Sequence, residues 1–354
     1  METQASRTFL KTNFFFALMA LLFILTGILF QLFGVPLKLM FILTQYGVIL
    51  LPSIVFIRLS GRSLKETLRL KKVRFSVLMM SLLITLLALP LAYMLNFLMT
   101  VVLAQGGWLV DHSFSLGTGW SNYFIFVILI AVSPGICEEV FFRGVILSGY
   151  EKVMSPKKVM ILTGILFGIF HFSLQNLLLP TLLGIIFAWL AMTTDSIYPS
   201  MLGHGVFNFI GVSLTFISSQ QASVSFEEST AHLKEMSAEL IIGILFFGCI
   251  AAGFTILMVL AMRFLKKMCY KPEVGDSLHL RGQVMTILAV DDLGLQVSLN
   301  GQEKRILYAT LKGRQHTYKE KSRYIEGEKT SYVNIVMILV VVLLYIGMNL
   351  LRRI

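Results

Sequence analysis

The stretch Ser121–Leu147 reads SNYFIFVILIAVSPGICEEVFFRGVIL. As a helix it is long enough to cross a hydrocarbon core about 30 Å thick. Its second half nevertheless holds Glu138, Glu139 and Arg143. A charge at that depth costs about 2.5–3.5 kcal/mol even on lenient insertion scales, so it is rare and marks function. Thiols and phenols aside, the other ionisable residues well inside the apolar spans are His171 and His204. This segment therefore sets the fold class, a membrane span, and the place to look for chemistry.

The rest of the chain repeats the pattern. Of its 354 residues 56% are hydrophobic and 14% charged, far more apolar than a soluble domain. Apolar stretches near 13–33, 37–57, 76–104, 121–147, 158–176, 177–193, 196–217, 239–262 and 333–351 each approach the length of a span. The expected fold is an all-α polytopic membrane protein of about eight core transmembrane helices, with a small cytoplasmic β-rich module and a ninth, C-terminal helix. The first stretch is too long for a signal peptide and lacks a small-residue cleavage pattern, so it reads as a retained helix. Cys137, Cys249 and Cys269 give no disulfide framework.

Basic residues sort the connections. Arg58, Arg62, Lys65, Arg69, Lys71, Lys72 and Arg74 crowd the second, Lys152, Lys157 and Lys158 follow the fourth span, and Arg263, Lys266, Lys267 and Lys271 follow the eighth. Gln105–Trp120 has no Lys or Arg, and Ser218–Ala238 is net acidic. The alternation predicts a cytoplasmic N-terminus by the positive-inside rule. It also accounts for the net charge of +11 without a nucleic-acid partner. Arg352 and Arg353 would end outside, against that rule. The expected setting is a bacterial plasma membrane, with the lipid bilayer as a partner.

Three regions follow: a membrane core over 1–265 with its motifs in 120–212, a cytoplasmic β-rich module and charged linker over 266–332, and a last helix over 333–354. In the module, His279–Val290 and Leu295–Ala309 alternate like strands, with Asp-Asp-Leu-Gly and Asn-Gly as turns. Lys312–Lys329 reads as a solvated linker. The module is the expected site for any cytoplasmic partner.

The chemistry lies in residue pairs at helical i,i+4 spacing. Glu139 and Arg143 form one, with Glu138 one position around the helix. Phe167 and His171 form the second, and His204 and Asn208 the third. At 1.5 Å rise per residue, Glu138, His171, His204 and Asn208 lie roughly 15, 20, 12 and 18 Å from the cytoplasmic ends of their predicted helices. They share a slab slightly on the cytoplasmic side of the midplane. Ser133-Pro134-Gly135 can break or widen the helix ahead of the glutamates and admit water or substrate. A glutamate in low dielectric can act as general base toward water, and His171 can share that water. His204 and Asn208 can donate to an oxyanion. The set Glu138, His171 and His204 could equally ligate zinc with one position open for water, so the cofactor is either zinc or none. Arg143 is expected to hold Glu139, Phe167 to pack, and Cys137 to be an inert thiol in apolar surroundings.

Glu138-Glu139-x-x-x-Arg143, Phe167-x-x-x-His171 and His204-x-x-x-Asn208, in this order on three apolar segments, resemble the motifs of the CPBP family of intramembrane proteases (CAAX prenyl protease 2, Abi and bacteriocin-processing types). The resemblance implies an intramembrane endopeptidase acting on a membrane-associated peptide or protein. Its implied catalytic set is Glu138, Glu139, Arg143, His171, His204 and Asn208. Glu138 and His171 would activate water, while His204 and Asn208 would stabilise the oxyanion. A non-catalytic immunity or scaffold protein, and an ion-coupled transporter using the same carboxylates, are the alternative classes. The absence of repeated halves counts against the transporter.

Overall fold

The computed structural model describes residues 4–111, 117, 119–219, 226–235, 237–269, 276–280, 283–291, 294–307, 316–319 and 341–349. Contacts divide the chain into two units, Met1–Met268 with Glu326–Ile354, and Cys269–Ile325.

The first unit is helical. Its principal helices are α1 (Gln4–Leu32), α2 (Leu37–Leu59), α3 (Phe75–Gln105), α4 (Trp120–Tyr150), α5 (Pro156–Ile169), α6 (Leu178–Thr194), α7 (Tyr198–Ser218) and α8 (Ala238–Cys269). Six of them, all but α5 and α6, are long and apolar enough to cross a membrane. The outward side chains are themselves apolar; on α8, Ile242, Leu245, Phe246 and Phe247 are all more than half exposed. Such a surface is stable against lipid and not against water. This is an integral membrane protein. Residues 341–349 form a further helix that seats Val341 and Tyr345 in the same core as α1 and α4.

The fifth predicted span needs correction: it ends at Ile169 rather than at 176, while the sixth holds as Leu178–Thr194. The two form a hairpin in which α5 and α6 run about 21 and 26 Å at 1.5 Å per residue, below the thickness of the core. The chain leaves helix after Ile169, reverses through Phe172 at φ 47°, and resumes at Leu178. His171 therefore sits in the connector, not four residues along a continuous helix. Irregular backbone at membrane depth survives only when buried in protein. Phe170, Phe172 and Ser173 are buried, and the Asn349 side chain accepts from the Leu174 amide at 2.8 Å. The hairpin closes tightly because a Cβ on Gly184 would lie 2.8 Å from Gly164 Cα, so only glycine permits this crossing.

Connections sort onto two ends of the bundle. At one end Arg69 pairs with Glu151 and Asp195, Lys71 pairs with Asp195, and Arg74 donates to the Met268 carbonyl at 2.7 Å. Phe9 near the start of α1 packs on Tyr150 at the end of α4. At the other end Gln105 donates to the Leu233 and Lys234 carbonyls, on the polar helix Phe226–Glu235, and Lys38 donates to Asn122.

The second unit contains a five-stranded antiparallel sheet of order β4-β3-β2-β1-β5, with β1 Ser277–Leu280, β2 Gln283–Val290, β3 Gly294–Leu299, β4 Gln302–Leu307 and β5 His316–Lys319. Each predicted strand thus divides into a pair. Asn300 and Gly301, at φ 50° and 81°, close β3 onto β4 as a tight hairpin requires. Leu278, Met285, Ile287, Leu295, Val297 and Ile306 form its core. The predicted linker Lys312–Lys329 is corrected at one place, since His316–Lys319 pairs with β1.

Candidate active site

The central helix α4 is not uniform. An α-helical segment, Ser133–Glu139, lies between two π-helical ones, Val127–Val132 and Val140–Leu147. Ser133-Pro134-Gly135 opens the α-helical segment and does not break the helix; the wide turns flank that segment. Pro134 has no N–H, which removes the α-helical partner of the Ile130 carbonyl. Asn208 Nδ2 donates to that carbonyl at 3.0 Å. π-turns inside α-helices recur at functional sites because they re-aim side chains.

Glycines bring α4 and α7 together. A Cβ on Gly135 would stand 3.0 Å from Gly205 N, 3.1 Å from Gly205 Cα and 3.2 Å from Met201 O. Gly205 is the neighbour of His204, so this close approach is what delivers His204 to the glutamates. Gly135→Val is expected to force the helices apart and lower the unfolding temperature of the purified protein, at a cost of about 1–3 kcal/mol. An unchanged melting curve would refute the close packing.

The two adjacent carboxylates occupy opposite environments. Glu139 is 0% exposed. Its Oε1 accepts from Arg143 Nη1 at 2.9 Å and from His204 Nδ1 at 2.9 Å. Arg143, 1% exposed, also donates through Nη2 to the Gly184 carbonyl at 3.0 Å. Its guanidinium lies over the rings of Phe167 and Phe187, 5.0 and 5.5 Å from their centroids, a favourable seat for a desolvated cation. Arg143 therefore pairs with Glu139, as the sequence suggested, and braces α6.

Glu138 instead opens onto a cavity of about 510 Å³. Its Oε1 accepts from Gln45 Nε2 at 3.0 Å, and its Oε2 lies 3.9 Å from His204 Nε2, beyond hydrogen-bonding range. His171, His204 and Asn208 line the same cavity. His171 Nδ1 donates to the Phe167 carbonyl at 2.8 Å, which leaves its Nε2 as an acceptor. His204 is held between rings, stacked on Phe187 at 5.5 Å and edge-on to Phe167 at 5.6 Å. Phe167 does more than pack: its ring touches both histidines and its carbonyl fixes one of them.

Gln45 escaped the sequence reading. It belongs to a third π-helical segment, Leu43–Leu50, and is 6% exposed. Its neighbour Tyr46 bonds Ser133 at 2.9 Å, so two adjacent residues of α2 grip α4 at positions five apart. The available signal was a lone amide inside an apolar span. Phe187 carried no signal beyond being aromatic.

The zinc alternative asks that Glu138, His171 and His204 converge on one point. Among the described residues no three His, Cys, Asp or Glu side chains assemble in a way that could hold a metal ion. One Glu138 oxygen is already taken by the Gln45 amide. As placed, these residues do not fit a three-ligand zinc site, and no step below runs through a metal.

The fold and the site define a polytopic α-helical membrane protein with an acid–base cavity buried in the bundle. Residues 120–210, which carry all three motifs, match the family model of type II CAAX prenyl endopeptidase, Rce1-like. The matched segment is thus similar to a CAAX-type protease domain, which is consistent with a CPBP-family intramembrane protease. No curated protein and no solved structure matches the chain.

Proposed function

We propose that the chain is an intramembrane endopeptidase that hydrolyses a peptide bond in a membrane-associated peptide or protein, of CAAX, leader or pheromone-like type, by glutamate-activated water. The observation that carries this reading is the division between the carboxylates. Glu139 is sealed and paired, whereas Glu138 faces a cavity shared with two histidines and an amide.

Water placed against Glu138 Oε2 gives that oxygen its proton as its own oxygen bonds to the scissile carbonyl carbon, while His171 Nε2 accepts the second O–H. The carbonyl oxygen becomes an oxyanion within reach of His204 and Asn208. Counted as ionised, Glu138, Glu139 and Arg143 sum to one negative charge, which a protonated His204 cancels. In that form its Nδ1–H stays on Glu139 and its Nε2–H is available to the oxyanion. As the C–N bond breaks, the proton on Glu138 passes to the leaving amine, and the carboxylate is regenerated. Glu139 and Arg143 act through His204 as positioning residues. The bilayer is a bacterial plasma membrane, and the bundle end rich in Lys and Arg, with the N-terminus, is cytoplasmic.

The test is cleavage of fluorogenic lipopeptides, one with a prenylated CAAX end and one of leader type, by purified protein in detergent. Cleavage of either is expected, with the rate unchanged by a strong chelator and no stoichiometric zinc in the active protein. Failure to cleave either reporter counts against the reading, and loss of the rate on chelation with recovery on zinc would overturn the metal-free route.

A further inference from the structure

The cavity has a floor and a mouth, and they lie at opposite ends of the bundle. Every residue from Glu139 to Tyr150 of α4 is buried. Beneath the catalytic level stand Phe141 and Phe142, and Tyr150 donates to Asn13 of α1 at 2.6 Å. Among the described residues, none that lines the cavity lies at the end where Arg69, Glu151 and Asp195 meet. The lining residues run the other way. On α1 they reach Phe30, two residues from its end, and on α7 they reach Thr215, three residues from its end. On α2 they begin at Met40, three residues after its start. The short α5–α6 hairpin turns back at membrane depth on this side, between Ile169 and Leu178.

The floor end carries the basic connections after α2, α4 and α8, whereas the loops and helix termini at the mouth end contribute Lys38 and Lys234 against Asp111, Glu227, Glu228, Glu235 and Glu239; Arg352 and Arg353, which run against this pattern, lie outside the described residues. So large an asymmetry places the floor in the cytoplasm. Glu138 itself is nearer the floor, roughly 18 Å from the end of α4 and 27 Å from its start at 1.5 Å per residue. A deep position toward the cytoplasm and an opening away from it are compatible.

We infer that the cavity takes its substrate from the extracytoplasmic face, and that this substrate is a peptide segment already translocated and held at the outer leaflet. A leader or pheromone-like segment has that placement, and the cytoplasmic C-terminus of a prenylated protein does not. Phe30, Phe41 and Phe207 line the approach and suit apolar residues flanking the scissile bond. The inference rests on the endopeptidase reading for its substrate, and on geometry and charge alone for its direction.

Two measurements test it. Right-side-out and inside-out membrane vesicles receive the leader-type lipopeptide, with a charged head that prevents crossing. Cleavage is expected in right-side-out vesicles, with at least a tenfold lower rate in inside-out ones until detergent is added. Cleavage confined to inside-out vesicles, or equal in both, overturns the inference. Absence of cleavage even in detergent would fault the endopeptidase reading instead, and labelling then decides the direction. With Cys249 and Cys269 replaced by Ser, Thr215→Cys is expected to react with an impermeant maleimide in intact cells. Lys65→Cys should react only after permeabilisation. The reverse pattern overturns the inference.

Discussion

Glu138→Gln is expected to abolish peptide cleavage, by about 10²–10⁴-fold in kcat, with KM, membrane abundance and unfolding temperature close to those of the parent. The substitution keeps volume, and its side-chain carbonyl can still accept from Gln45, so the contact between α2 and α4 survives. What disappears is the proton acceptor facing the cavity. Gln45→Met probes the same oxygen from the other side. Losing a hydrogen bond to a carboxylate costs about 1.5–3 kcal/mol, so a fall of about 10- to 100-fold is expected, smaller than that of Glu138→Gln. Steady-state cleavage of a lipopeptide in detergent measures both. Full activity in Glu138→Gln would remove the base from the mechanism, and a larger loss in Gln45→Met than in Glu138→Gln would reverse their order.

Arg143→Met is expected to act mainly on stability. It strands Glu139, fully buried, without its cationic partner, with the hydrogen bond from His204 remaining. Breaking a buried pair by removing one member costs about 3–5 kcal/mol, because the other charge stays desolvated. The Gly184 carbonyl also loses its donor, so α6 loosens against α4. The variant should accumulate poorly and unfold at a lower temperature. The double variant Glu139→Gln/Arg143→Met should recover most of that loss, since replacing the whole pair by uncharged residues is close to neutral. Thermal unfolding of the three variants beside the parent decides it, and additive losses would show that the pair is not a unit.

These two experiments separate features that were unequally legible in the sequence. The pairing of Glu139 with Arg143 was readable: four-residue spacing puts Arg143 above Glu139, and the structure keeps that pair at 2.9 Å. Gln45 was not, because its partner lies 93 positions away and a single amide in an apolar run carries no period. The α5–α6 hairpin was overestimated for a related reason. Hydropathy registers apolar residues whether they meet lipid or protein, so the buried connector around His171 looked like more helix. In the sheet, alternation located the strands, while the pairing of His316–Lys319 with β1 needed a partner distant in sequence.

The sequence by itself determined that the chain crosses a membrane many times, because about 20 apolar residues have no other stable place. It also determined which charges matter, because each one in hydrocarbon is too costly to be incidental. Tertiary structure decided which carboxylate opens to the cavity, which amide holds it, and at which end that cavity opens. Those depend on how close two helices approach at Gly135 and Gly205, how far a π-turn rotates a side chain, and where a hairpin turns back. Each is a property of packing between distant segments, and no local pattern of residues encodes it.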